Sequence, residues 1–133
     1  MPEYRLPIRV YIEDTDAGGI GYYVNYLKYL ERARTELIRS LGVDKTAVME
    51  DGSVFVVTSA SINYHAPARL DDQLESVAEV VSIGAATIEF RQSVVRSGVE
   101  LATGQVMVAL TDGSSGKPKR MPKGLRELLT LSA

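Results

Sequence analysis

Apolar residues alternate along the first segment of the chain. Leu6, Ile8, Val10 and Ile12 take every second position between Leu6 and Glu13, the spacing of a half-buried strand. The pattern breaks at Glu13-Asp14-Thr15-Asp16-Ala17-Gly18-Gly19-Ile20-Gly21, where three glycines and three carboxylates crowd into nine residues and predict a loop. The period then lengthens. Val24, Leu27, Leu30, Arg34, Leu37, Ile38 and Leu41 fall largely on one face at helical spacing, and Gly42 supplies a stop. A helix from about Tyr23 to Leu41 would be about 28 Å long at 1.5 Å per residue, with Lys28, Glu31, Arg32, Glu36 and Arg39 as its polar side.

The remainder reads as β-structure. Val54 to Tyr64, Gln73 to Ser82, Ala86 to Arg96 and Glu100 to Thr111 are rich in Val, Ile and Thr, with breaks at Ala66–Asp72, around Gly84 and around Gly98. Gly98 stands where a short hairpin wants glycine, and the last three strands are joined closely enough to form an antiparallel meander. A Gly/Ser/Pro/Lys loop from Asp112 to Met121 leads to a short terminal helix, Pro122 to Leu131. The expected fold is α+β: one long helix covers one face of a curved antiparallel sheet. The other face is expected to be apolar and exposed unless something covers it, which hints at an oligomer.

Composition narrows the chemistry. At 133 residues the chain predicts one domain, and with 45% apolar and 24% charged residues it is ordinary globular protein rather than disordered. It has no cysteine, which removes disulfides, thiolate nucleophiles and sulfur-ligated metals. One histidine, His65, excludes sites needing two imidazoles. A net charge of −2 argues against a dedicated nucleic-acid binder. No stretch approaches the roughly 20 apolar residues that span a bilayer, so the chain reads as soluble and cytoplasmic.

Chemistry concentrates where the acidic glycine-rich loop meets the long helix. The first turn of a helix offers backbone N–H groups without intrahelical partners and a partial positive charge, a place for a developing oxyanion. Asp16 lies seven residues before Tyr23, far enough to fold back across the helix mouth. The plainer reading is that Asp14 or Asp16 caps a turn and the glycines make a bend. No GK[ST] follows the glycines, so this is not a P-loop. Nothing in the pattern calls for a cofactor or a metal.

Val10 to Tyr26, followed by Glu31-Arg32-Ala33-Arg34-Thr35-Glu36, resembles the signature of hotdog-fold acyl-CoA thioesterases. The group is the 4-hydroxybenzoyl-CoA thioesterase family and its YbgC-like branch. Tyr64-His65-Ala66-Pro67-Ala68-Arg69-Leu70-Asp71-Asp72 is similar to that branch's second motif, and the order of elements agrees. The resemblance implies an antiparallel sheet wrapped around one central helix, joined edge to edge with a second copy. It places active sites at the subunit interface and implies dimers that pair into tetramers. It implies that Asp16 is the catalytic carboxylate, that the Tyr23 backbone N–H is the oxyanion donor, and that Gly19 is the loop glycine the substrate passes. Many YbgC-like proteins carry histidine at the position of Tyr23. Tyrosine keeps the backbone donor but removes imidazole chemistry, leaving Asp16 either to attack the carbonyl or to activate water.

Tyr22, Tyr26 and Tyr29 could wall an acyl pocket, although tyrosines at this spacing are more often core or interface residues. Asn25 is a ligand contact or a loop-orienting residue. Lys119 and Arg120, within a basic patch with Lys117 and Lys123, are candidate anchors for CoA phosphates or for an acidic acyl carrier protein; Arg69 and Arg91 are further candidates. A solvated loop is the plain alternative, and an ordinary strand-end residue is the plain reading of His65. The function expected is hydrolysis of acyl-CoA thioesters. The alternative is a scaffold for an acyl carrier protein or a lipid-synthesis partner with little turnover.

Overall fold

The computed structural model describes residues 2–16, 19, 24–43 and 51–131. Strand β1 (Glu3–Arg9) is followed by a 3-10 turn (Ile12–Asp14), helix α1 (Val24–Ser40), strands β2 (Ser53–Tyr64), β3 (Gln73–Ile83), β4 (Thr87–Arg96) and β5 (Val99–Asp112), and helix α2 (Lys123–Leu131). The strands form one sheet in the order β1-β3-β4-β5-β2, and every pairing is antiparallel. The expected β3-β4-β5 meander is present. Consecutive strands β1 and β2 occupy opposite edges, so the chain passes through α1 from one edge of the sheet to the other. Ser97 and Gly98 turn β4 into β5 at φ 50° and 81°, the left-handed pair that a two-residue hairpin needs.

The helix lies against β1, β3 and β4. Its buried stripe is Tyr26, Tyr29, Leu30, Ala33, Leu37 and Ile38. Leu27, which the periodicity places on the apolar face, is 46% exposed; Tyr26 takes the inward place beside it. Facing the helix are Leu74, Ala78 and Val80 of β3, Ile88, Phe90 and Val94 of β4, and Val106 and Val108 of β5. The buried side chains fall into two clusters. One gathers Ala33, Leu37, Phe90, Val106 and, from the C-terminal segment, Met121, Leu125 and Leu129. The other gathers Val10, Tyr26, Tyr29, Leu30, Ala68 and Leu101.

Two buried polar groups lock helix to sheet. Ser76 Oγ donates to the Tyr29 carbonyl at 2.8 Å, and Gln92 Nε2 donates to the Leu30 carbonyl at 2.8 Å. A carbonyl has two lone pairs, so each can take a sheet donor beside its helical one. Consecutive carbonyls held from adjacent strands fix both the rotation and the axial position of α1. Gln92 also accepts Arg34 Nη1 at 2.8 Å, so the half-buried guanidinium belongs to the same lock.

Two expectations change. The first strand runs from Glu3 to Arg9 rather than from Leu6 to Glu13, and Ile12 is 77% exposed. The cause is local: the Asp14 carboxylate accepts the Tyr11 N–H at 2.9 Å and the Asp14 N–H donates to the Tyr11 carbonyl at 2.9 Å, curling the backbone into a turn. The face of the sheet away from α1 is not apolar. Glu79, Arg91 and Gln105 stand side by side across β3, β4 and β5, and Arg5 lies 3.8 Å from Glu75. Exposed apolar side chains include Val56, Val57 and Tyr64 of edge strand β2, with others at Tyr11, Ile12, Leu27, Leu70, Val99 and Leu128. Elsewhere the strand and helix boundaries fall within one or two residues of those expected, apart from helix start Tyr23, which lies outside the described residues. None of the described helices is long and apolar enough to cross a membrane.

Replacing Gln92 by Leu would leave the Leu30 carbonyl without its sheet donor and the Arg34 guanidinium without its acceptor. The expected loss of stability is about 2–3 kcal/mol, measured by urea unfolding at fixed protein concentration. Wild-type stability in Gln92→Leu would show that packing alone seats the helix.

Candidate active site

The two sequence motifs meet in space. From the first, the Val10 N–H donates to the Asp72 carbonyl at 3.0 Å; from the second, the Asp71 N–H returns to the Val10 carbonyl at 2.9 Å and the Leu70 N–H reaches the Gly19 carbonyl at 3.1 Å. Segment 66–72 is thus the floor on which the acidic loop rests. Its own turn is tight. Asp71 sits at φ 68°, a conformation Asp tolerates better than most residues, and the Asp72 N–H closes on the Arg69 carbonyl at 3.0 Å. The Asp72 carboxylate accepts the Arg69 N–H at 2.8 Å and Arg96 Nη1 at 2.6 Å. Burial raises the pKa of Asp72, but the Arg69 N–H and the Arg96 guanidinium outweigh it and hold the carboxyl below the usual range.

On this floor stands Asp16. Its carbonyl accepts the Gly19 N–H at 3.0 Å and its residue is exposed. Gly19 is at φ 74°, and a Cβ built there would meet nothing within 4 Å. The glycine is therefore required by its backbone conformation, and among the described residues nothing fills the space above it. Tyr22 and Tyr23 lie outside the described residues, as do Ala17, Gly18, Ile20 and Gly21.

What ties the loop to α1 is a pair the sequence reading left unconnected. Asn25, on the first turn of α1 and 7% exposed, donates Nδ2 to Asp14 Oδ1 at 2.8 Å. Asp16 is two residues beyond Asp14, a span of at most about 7 Å. One turn further along the same helix face, the Tyr29 hydroxyl is buried and has no hydrogen-bond partner among the described residues. Burial first, then the neighbouring Asp14 charge, and then an approach of the Asp14 carboxylate too loose for a full hydrogen bond, push its pKa well up. Tyr26 is also core: it is 2% exposed, its hydroxyl accepts the Ala68 N–H at 2.8 Å, and its ring lies 6.1 Å from that of Tyr29 and 5.4 Å from that of Tyr64.

The basic candidates separate by position. Lys119 Nζ is held by Asp51 at 2.8 Å. Arg91 stands on the outward face between Glu79 and Gln105. Arg69 and Arg120 are exposed and make no ion pair among the described residues. His65 Nε2 lies 2.9 Å from Thr103 Oγ1 at the strand end. No periodicity foretold a cavity of about 150 Å³ on the inner side of the sheet, where Arg34, Ile38, Phe55, Val57, Phe90 and Val108 line the space between α1 and strands β2, β4 and β5. Its nearest helical residue, Glu31, is seven positions beyond Val24, about 10 Å along the axis.

This architecture is that of the hotdog thioesterases. The chain belongs to the thioesterase-like superfamily, whose family model matches residues 10–129. Among its relatives, the acyl-CoA thioester hydrolase YbgC of Escherichia coli O6:H1 is 40% identical over 123 residues, covering 92% of each chain. A probable thioesterase from Bartonella henselae superposes with a TM-score of 0.85 at 31% identity, over 90% of this chain and 99% of that one. A 4-hydroxybenzoyl-CoA thioesterase in complex with 4-hydroxybenzoyl-CoA shares the fold at a TM-score of 0.89 and 21% identity, over 98% of this chain and 100% of the other.

The Asp72 clasp carries a pH dependence with a definite sign. Its carboxyl is depressed in the folded state, so its contribution is present above the unfolded value near 3.9 and disappears as pH falls through the lower folded value. Asp72→Asn should cost about 1–2 kcal/mol at pH 7. The gap to wild type should stay constant from pH 5 to 8 and narrow below about pH 4. Urea titrations across pH test this, and a gap that does not change with pH would refute it.

Proposed function

We propose that Asp16 and the N-terminal end of α1 carry the reaction of this acyl-CoA thioester hydrolase. The observation that supports the assignment is the Asp14–Asn25 bond, which keeps the Asp16 stretch beside the start of the helix. There the thioester carbonyl oxygen would face unpaired backbone N–H groups and the positive end of the helix dipole, with the Tyr23 N–H as donor. A carboxylate on the other side acts on the carbonyl carbon directly or through water. Through water, the oxygen of an activated water adds to the carbonyl carbon and the C–S bond breaks; by direct attack, an Asp16 acyl anhydride forms as the C–S bond breaks, and water then hydrolyses it. Both routes consume one water, release the acid and give a proton to the departing CoA thiolate. A donor at this place is typically worth about 10²–10³ in kcat.

The cavity behind Phe55 and Val57 is the proposed seat of the acyl group. Phe55, Val57, Phe90 and Val108 give it an apolar wall, which suits the acyl part of the substrate. Arg69 and Arg120 are the side chains proposed for the CoA phosphates. Strand β2 is an exposed edge with Val56 and Val57 uncovered, and sheets rarely leave such an edge bare. Pairing it with β2 of a second copy would continue the sheet and close the outer side of the cavity; joining dimers into tetramers would need other surfaces. The scaffold alternative finds no support among the relatives, which are named as thioester hydrolases.

Asp16→Asn should leave the fold and assembly intact and lower kcat by at least about 10²-fold, read as thiol release across a panel of acyl-CoAs. Near-wild-type turnover would remove Asp16 from the mechanism. Val57→Trp should fill the cavity, lowering kcat/KM for the larger acyl groups about tenfold or more relative to acetyl-CoA; an unchanged preference would place the acyl group elsewhere.

A further inference from the structure

We propose that Asp14 is a positioning residue, whose carboxylate clamps the first turn of α1 to the chain leaving β1 and so sets where the Asp16 carboxylate stands relative to the helix end. The proposal rests on the assignment of Asp16 to the reaction. Both oxygens of Asp14 are engaged. Oδ1 accepts Asn25 Nδ2 at 2.8 Å from the helix, and Oδ2 accepts the Tyr11 N–H at 2.9 Å from the turn. Two donors converging from two elements call for a carboxylate, because an amide offers only one acceptor oxygen. The bonds are charge-assisted and so stronger than neutral ones.

The surroundings leave little play in this arrangement. Asn25 is buried, and Tyr29, at i+4 on the same helix face, brings a buried hydroxyl close enough to Asp14 to feel its charge. On the other side, Thr15 follows immediately, its N–H and Oγ1 both bonded to the Ile12 carbonyl at 3.1 and 2.8 Å. The turn is therefore rigid from Tyr11 to Thr15, and its one side-chain tether to the helix among the described residues runs through Asp14. Asp14 and Asp16 divide two tasks: the first holds geometry, the second faces the substrate.

The test exchanges the two partners. Asp14→Asn replaces the charged acceptor by an amide, so the bond to Asn25 loses its charge assistance, and Asn25→Asp sets a carboxylate against a carboxylate. Each single substitution should lower kcat about 10- to 100-fold with KM little changed, the scale of a small misplacement of a reacting group. In the double variant Asp14→Asn/Asn25→Asp, donor and acceptor change sides, Tyr11 keeps an oxygen to bond, and the new carboxylate sits favourably at a helix N-terminus. Its kcat should recover to within about tenfold of wild type. Hydrogen exchange of the amides from Tyr11 to Asp16 should speed up in both single variants and slow again in the double. Singles that match wild type on both readouts, or a double no better than the weaker single, would overturn the clamp; exchange recovering without kcat would overturn its positioning role. If wild type and Asp16→Asn hydrolyse acyl-CoA equally, the Asp16 assignment fails by itself, and the exchange measurement still decides whether the clamp exists.

Discussion

The structure depends on the seating of one helix on one curved sheet, and that seating is set by polar bonds inside an apolar contact. Hydrophobic burial brings α1 onto β1, β3 and β4, but burial is non-directional and would tolerate a helix rotated by some degrees or slid by part of a turn. Ser76 and Gln92, holding the carbonyls of Tyr29 and Leu30, remove that freedom. Leaving either donor buried without its partner would cost more than the bond gains. The helix therefore has one position, and everything at its N-terminal end inherits it.

That inheritance explains how short polar segments become a site. The loop after β1 has few apolar residues to anchor it, and its backbone leans on segment 66–72 through Val10, Gly19, Leu70 and Asp71. Segment 66–72 is braced in turn by the Asp72–Arg96 pair, 2.6 Å across, which connects the loop to β4. Three carboxylates close in sequence or space thus differ by environment. Asp72 is clasped by a guanidinium and a backbone N–H, Asp14 is held between two donors, and Asp16 is exposed at the surface. Under the proposed assignment only the last is placed to meet a substrate.

The distribution of apolar surface links assembly to substrate. The outward face of the sheet carries charged residues, and β2 leaves Val56, Val57 and Tyr64 uncovered; the inner side of the same strand lines the cavity through Phe55 and Val57. An edge strand with such residues is suited to another strand. Under the proposed pairing, the shape of the acyl space would be decided partly by a second copy, and acyl preference would be a property of the assembly.

How much of this the chain announces differs by scale. Long periodic runs were legible: the helix, four of the strands and the meander follow from spacing and turn residues, because burial on one face imposes that spacing. The resemblance carried by Val10 to Tyr26 with Glu31 to Glu36, and by Tyr64 to Asp72, points to the family. Tertiary structure decided the rest. Nothing in the spacing says that Ile12 lies outside the strand, because a carboxylate two residues later curls the backbone away. Nothing says that Leu27 faces outward, since Tyr26 competes for the inward place and wins only against this sheet. The partners of Asn25, Gln92 and Asp72 are 11, 62 and 24 residues away along the chain, and periodicity reports faces of elements, not which distant donors meet. Hydrogen bonds between remote segments exist only once the helix is seated, and for that reason the sequence could name the family and the elements while the fold alone could bring its carboxylates to their separate stations.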